Sequence, residues 1–476
     1  MLHPRPSQNC PMPGKQALNM TVSAPVASTR WQQYWRLISA LARSRSVEDV
    51  ALKLLPVLAK LGLALPSALL VWGSVTPMTA GPARHRVLVI RKAVFNEDVL
   101  QVLDGASDVQ AFGVGRAVIK AMALGLLPRE ICDDATYVST DPRAEAAKRR
   151  YRRLCRGVWR YLAWLGRYDA VLSGNWCYWA ERELAGAMEE VGAPFIVLHK
   201  EGIKPPARAL MLRGLFRATR GRFTGRSVYV YHPDERDHQV ESQTARADQV
   251  QIVGMPRLDR VHAWRRRAAA GEVAPRAARP LVLVLAFMAN NFLPSYSGVD
   301  SDLAWNELCA GTYQAAVRLA RAHPGIDVVV RPREHEVGDV LRLMAPEGPL
   351  PSNLRIGAEG EVMPLLEASW VVCGHNTTVL LEALAAGKPV VVPDFGEMQD
   401  PRYHGYNVEL GDAVEHAATV DDLVERLARR CREPAPIEAE LTPAAQDALA
   451  KWTGNPDGAA SERVRRLLRQ ELSRAA

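Results

Sequence analysis

Residues 373–393 read Cys373-Gly-His-Asn-Thr-Thr-Val-Leu-Leu-Glu-Ala-Leu-Ala-Ala-Gly-Lys-Pro-Val-Val-Val-Pro393. That order predicts a buried strand, a polar turn, a short helix, a stop and a second buried strand. The flanking apolar, β-branched runs suit strands covered on both faces, as in a parallel sheet. Gly374 permits the sharp turn after the first strand. Asn376, Thr377 and Thr378 are helix-capping residue types, so their side chains and the free N–H groups of the first turn face the space beyond the strand end. A helix start bearing hydroxyls is an anion site and suits a phosphate or diphosphate. Glu382 lies one turn inside the helix, from where its carboxylate could accept both hydroxyls of a ribose. Gly387 ends the helix, and Lys388-Pro389 leads into the next strand. The same residues also fit an ordinary capped βαβ turn.

Working outward, the alternation of short apolar runs and helical stretches continues in both directions. Before the segment lie runs at 86–91 (RVLVIR), 169–173 (DAVLS), 194–199 (PFIVLH), 227–231 (SVYVY) and 250–253. An Arg- and Ala-rich break at 264–280 carries Gly271, Pro275 and Pro280. The series then restarts at 281–287 (LVLVLAF), 326–331 (IDVVVR), 354–356 and 370–373 (WVVC). Helical composition fills the intervals, which makes two βαβ series. The expected fold is α/β: two Rossmann-like domains facing a cleft, with a helical N-terminal extension. The expected divisions are 1–28 without regular structure, 29–80 helical, 81–265 a first domain, 266–280 a linker, 281–440 a second domain and 441–476 a helical tail. In open α/β sheets ligands sit beyond the carboxyl ends of the strands, so function is sought there.

The chain has 476 residues, enough for two or three domains with full cores. Apolar residues make up 48% and charged residues 24%, which excludes a disordered chain, a collagen-like repeat and a multi-span membrane protein. Sixty Lys and Arg against fifty-two Asp and Glu give a net charge of +8. The excess suits a negatively charged ligand or an anionic membrane surface, and it is too diffuse for nucleic acid. Seven widely spaced cysteines without a C-x-x-C argue against a disulfide scaffold or zinc ribbon. No secretory signal pattern opens the chain, so a cytoplasmic protein is expected. Residues 50–72 are strongly apolar but interrupted by Lys53, Pro56, Lys60 and Pro66, which disfavours a membrane span. Together with the Trp- and Arg-bearing stretch 31–45, they read either as a peripheral element on the inner face of the cell membrane or as packing helices.

The 373–393 segment resembles the nucleotide-binding half of a GT-B-type glycosyltransferase, in particular of bacterial capsule and surface-polysaccharide biosynthesis proteins. In that group a Ser/Thr-rich turn and a helix of the form "EALAAGKPVV" grip the donor nucleotide. Gly254-Met-Pro-Arg257-Leu-Asp259 resembles the "G-x-P-R-x-D" that closes the first domain of such enzymes, and Asn455-Pro-Asp-Gly458-Ala-Ala-Ser461-Glu-Arg463 resembles their tail. The resemblance implies transfer of a sugar from a nucleotide-sugar to a glycan or lipid-linked acceptor, with the nucleotide-sugar as substrate, no further cofactor and no metal. It implies donor contacts from Arg331 and Arg333 in the turn after the 326–331 run, and from His375, Asn376, Thr377, Thr378 and Glu382. Arg forks suit phosphate oxygens, although this turn reads Arg-Pro-Arg-Glu-His where related enzymes read Lys-Pro-His-Pro.

On the acceptor side, Glu201 follows a strand end beside Lys200 and Gly202, which suits a general base or nucleophile. Neighbouring Lys200 should lower its pKa. His199 is the second catalytic candidate, and Asn175 with Trp176 forms a candidate sugar platform. The turn Tyr231-His-Pro-Asp-Glu235 after another strand could add an acid–base group or merely start a helix. Gly113-Val-Gly115 is half a dinucleotide fingerprint without its third Gly. Asp300-Ser301-Asp302 matches a metal-binding D-x-D only superficially. Alternative readings are a UDP-N-acetylglucosamine 2-epimerase-like enzyme, a CDP-glycerol-type transferase, and a non-catalytic polysaccharide-assembly scaffold.

Overall fold

The computed structural model describes residues 46–219, 221–289 and 303–475. The stretches 1–28 and 31–45, Cys10 and Asp300-Ser301-Asp302 lie outside them.

Strands β1 (Thr76–Pro77), β2 (His85–Arg91), β3 (Val109–Gly115), β4 (Ala170–Ser173), β5 (Phe195–Leu198), β6 (Ser227–Val230) and β7 (Val250–Ile252) form one sheet. Its order is β1-β3-β2-β4-β5-β6-β7, parallel except for β1. Strands β8 (Leu281–Leu285), β9 (Asp327–Arg331), β10 (Leu354–Ile356), β11 (Val371–Cys373), β12 (Val390–Pro393) and β13 (Glu415–Ala417) form a second, fully parallel sheet in the order β10-β9-β8-β11-β12-β13. Helices cover both faces, so central strands β4 and β8 are buried along their whole length and are apolar but for Ser173 at the end of β4. The order in which successive strands are added reverses between β2 and β4 in one sheet and between β8 and β11 in the other, while the strands themselves stay parallel. The strand-end turns at those two switch points are therefore where a ligand crevice opens.

Three strands were hidden from the sequence: the two-residue β1, β3 and β13. The half fingerprint at 113–115 is the end of β3. Gly115 is the last residue of β3, paired with Arg91 of β2, so the pair of glycines belongs to a strand and not to a phosphate-binding turn. β13 is three residues long and pairs only through Val391, Val392 and Pro393. The predicted helical tail is two helices, Pro443–Thr453 and Ala460–Ala475, and the second returns to the first sheet. Asp259 caps it, accepting from Ser461 N at 2.7 Å and from Asn455 Nδ2 at 2.7 Å, while Val464, Leu468 and Leu472 pack with Phe95 and Val99. The tail motif and the G-x-P-R-x-D motif thus form one seam.

The same seam joins the two sheets through a buried charge network. Arg257 donates from Nε to Glu382 Oε1 at 3.2 Å and from Nη1 to Asp98 Oδ2 at 3.4 Å, and Tyr231 donates to Asp98 Oδ2 at 2.8 Å. Lys388 is also buried. Its Nζ donates to the carbonyls of Pro275, Glu367 and Ser369, each at 2.7 Å, pinning the interdomain segment to the second sheet. Lys388→Met leaves the buried Ser369 carbonyl and the half-buried Pro275 and Glu367 carbonyls without this donor, and urea unfolding should report a loss of about 3 kcal/mol.

Residues 50–72 form parts of two helices, Val47–Lys60 and Ala64–Gly73, with Pro56 accommodated inside the first. Ala51, Leu55, Ala59, Ala68 and Val71 belong to the core of the first sheet. No helix among the described residues is long and apolar enough to cross a membrane.

Candidate active site

The cleft is built from the turns after β2, β4 and β5 on one wall and after β8, β9 and β11 on the other. A cavity of about 460 Å³ lies on the first wall, lined by Lys92, Arg116, Asn175, Tyr178, Lys200 and Glu201 among others. One of about 510 Å³ lies on the second, lined by Arg331, Arg333 and residues 375–379. A smaller space between them is lined by Ile203 and Arg208 from the first wall and by Phe287, Trp305 and His375 from the second. Thr378 lines all three.

Glu201 leaves the end of β5 with its carboxylate open to the first cavity. Asn175, at the end of β4, donates to Oε2 at 3.0 Å and is itself fixed by accepting from Cys177 N at 3.0 Å. Lys200 and Lys92 stand 3.2 and 3.5 Å from Oε1, and the Tyr178 hydroxyl reaches the same oxygen at 3.5 Å. Desolvation pushes the carboxyl up, but Lys200, His199 and Lys92 outweigh it and hold it at about 2. Glu201 is therefore ionised across the physiological range, with one oxygen oriented by an amide and the other by two ammonium groups.

His199 stands behind it, buried, with Nε2 3.1 Å from Glu235 Oε1. Glu235 also takes hydrogen bonds from Lys204 Nζ and from Gln239 Nε2 at 2.7 Å. Burial alone would raise this carboxyl, but Lys204 and His199 hold it well below the usual range. His199 and Glu235 thus form a buried pair supporting the turn that carries Glu201.

On the second wall, helix Thr378–Ala385 begins at the end of β11, and the Thr377 hydroxyl caps it by accepting from Val379 N. His375 is wedged edge-on to Trp305 at 4.6 Å and against Phe287 at 5.2 Å. Burial pushes its pKa down to about 3, so the ring is neutral, and its Nε2 is buried without a protein partner at the cavity wall. A helix N-terminus, two threonine hydroxyls and an unsatisfied imidazole nitrogen converge there, which suits an anionic oxygen ligand. Arg333 adds an exposed cation, 3.7 Å from Glu336.

Four expected contacts are placed otherwise. Glu382 does not reach the cleft: it is buried on the opposite face of its helix, bound to Arg257. Asn376 adopts a left-handed backbone (φ 48°) and spends its amide on the neighbouring loop, donating to Tyr406 O at 2.9 Å and accepting from Val408 N at 2.7 Å. The Arg331 guanidinium clamps the chain after β10 through the carbonyls of Gly357 at 2.8 Å, Glu359 at 2.9 Å and Gly360. Trp176 is 3% exposed and packs edge-to-face on Phe216, so it is core with one edge at the cavity, not an open platform. The sequence reading missed Lys92, Arg116 and Tyr178. Lys92 follows the end of β2 directly, and a strand-end rule applied to the 86–91 run would have found it.

Three buried histidines set an acid limit on stability. Burial lowers His375 to about 3 and His238 and His262 to about 4. The folded chain keeps them neutral, whereas the unfolded chain protonates them near pH 6.5. Their stabilising contribution is complete above pH 6.5 and is lost as pH falls from there toward 4, by roughly 2 kcal/mol per histidine at pH 5. Urea midpoints at pH 7.5 and pH 5 should differ accordingly; equal midpoints would contradict the neutral assignment.

Two Rossmann-like domains facing one cleft give the chain a GT-B-type fold. No protein-family model matches the chain, and no curated protein matches it. Among solved structures it is similar to UDP-GlcNAc 2-epimerase from Neisseria meningitidis bound to UDP-GlcNAc, at 13% identity over 81% of this chain and 100% of that one, with a TM-score of 0.45. It is similar to a wall teichoic acid polymerase, at 8% identity over 93% of this chain and 98% of the other, TM-score 0.45. A third is α,α-trehalose 6-phosphate synthase from Burkholderia multivorans, at 14% identity over 83% and 97%, TM-score 0.41.

Proposed function

We propose that the protein is a glycosyltransferase that moves a sugar from a nucleotide-sugar to a polysaccharide or glycolipid acceptor. One observation carries the reading: an ionised, rigidly held carboxylate, Glu201, and an anion-accepting helix start at Thr378 border the same cavity. The donor diphosphate lies against the Thr377–Thr378 hydroxyls, His375 Nε2 and Arg333. The acceptor hydroxyl lies beside Glu201. As that oxygen bonds to the anomeric carbon, its proton passes to Glu201 and the carbon–oxygen bond to the diphosphate breaks. The charge left on the phosphate is met by the helix N-terminus and Arg333, which supply the stabilisation a metal supplies elsewhere.

Lys92, Arg116, Lys200 and Lys204 all line the first-wall cavity. That cationic lining favours an acceptor carrying phosphate or carboxylate groups, and it supports as second reading a CDP-glycerol-type transferase extending an anionic chain.

Thermal shift against UDP, GDP, CDP, CMP and their sugar or glycerol conjugates tests the donor site. One nucleotide at 100-fold excess over its Kd should stabilise the protein by about 2.7 kcal/mol, and Thr378→Val with Arg333→Ala should abolish most of that shift. Glu382→Ala is unsuitable because it breaks the buried Arg257 pair. Absence of any nucleotide shift would sink the reading. Turnover of a nucleotide-sugar to its epimer without acceptor would replace it with the epimerase.

A further inference from the structure

The helices beside the first sheet present an apolar surface that the catalytic reading does not use. Leu61, Leu63, Leu65, Leu69 and Trp72 are 40–66% exposed, and Trp164 is 73% exposed. Leu65, Leu69 and Trp72 recur at i, i+4 and i+7 and so form the outward stripe of helix Ala64–Gly73, opposite buried Ser67 and Val71. That helix meets helix Pro142–Gly166 at Gly157, where a Cβ would stand 2.8 Å from that of Ala64. The outward face of the longer helix carries Arg149, Arg153, Arg160 and Trp164 in register with Gly157, with Arg150 and Tyr161 at its margin.

These arginines decide what covers the surface. Arg149, Arg150, Arg153 and Arg160 are exposed and have no carboxylate among the described residues at salt-bridge distance, whereas Arg152 and Arg156 on the opposite flank pair with Glu183 and Glu190. A second copy of this chain would bring like charges together across a twofold axis. A leucine-rich stripe flanked by tryptophans and unpaired arginines instead matches a bilayer interface: leucines at the acyl boundary, Trp and Tyr at headgroup level, guanidinium groups on lipid phosphates.

We propose that this face, formed by helices Ala64–Gly73 and Pro142–Gly166, docks the protein on an anionic lipid surface. The test is co-sedimentation of the full chain with phosphatidylcholine vesicles containing about one third phosphatidylglycerol, at ~0.1 M salt where charges still act within about 10 Å. Wild type should pellet with these vesicles and not with pure phosphatidylcholine. Leu69→Glu with Trp164→Glu should weaken binding at least tenfold, and so, independently, should Arg149→Gln with Arg150→Gln and Arg153→Gln. All these side chains are exposed, so melting temperatures should match wild type. Vesicle binding unchanged by both sets would overturn the proposal, as would no binding by wild type. A wild-type dimer in light scattering that Trp164→Glu converts to monomer, without vesicle binding, would assign the face to a second copy instead.

Discussion

Glu201→Gln is expected to lower the transfer rate by about 10²–10⁴-fold, the usual contribution of a positioned base. The amide keeps the shape of the side chain and can still meet Asn175, but it cannot take a proton. The nucleotide-induced thermal shift should persist, because the donor contacts lie on the other wall. The pH profile provides a second signature. With Glu201 held at about 2, kcat/KM should show no acid limb near 4.5, the ordinary range of a glutamate. A variant rate within threefold of wild type would remove Glu201 from the chemistry. Asn175→Ala frees one carboxylate oxygen, and its smaller loss should fall on kcat more than on donor KM.

Arg257→Met is expected to cost about 3–5 kcal/mol of stability, the range for removing one member of a buried ion pair. Arg257 is 5% exposed, and its loss leaves Asp98 and Glu382 as two buried carboxylates with no cation between them. Adding Glu382→Gln to Arg257→Met should recover part of the loss, giving a coupling energy in a double-mutant cycle. Since Asp98 belongs to the first sheet's helices and Glu382 to the second's, the network also fixes the two cleft walls against each other. Donor affinity should therefore fall with stability in Arg257→Met. A cost below about 1 kcal/mol would show that the pair is dispensable.

Glu382 and Glu201 show how much of the site was legible. Both are carboxylates near strand ends, and both were assigned to the cleft. Glu201 lies in the turn itself, where the strand end fixes which way the chain faces. Glu382 lies one helical turn further on, and its helix offers two faces. The local sequence does not say which face meets Arg257, because that arginine is 125 residues away. Arg331 and Asn376 differ for a related reason. Both stand at the correct strand ends, but nearby backbone carbonyls and an N–H compete for their polar atoms, and only the loops after β10 and around Tyr406 reveal those competitors. The buried strands were readable from their apolar runs. β3 was not, since its two glycines resembled half a dinucleotide fingerprint.

By itself the sequence determined two βαβ series, a break between them and a capped helix start at 377–378, because periodicity, capping and glycine placement act over a few residues. The tertiary structure decided which charged groups face the cleft and which pair inside the protein. A charge is stable wherever water or an opposite charge meets it, and for Lys388, Arg257 and Glu382 the partner is supplied by chain remote in sequence.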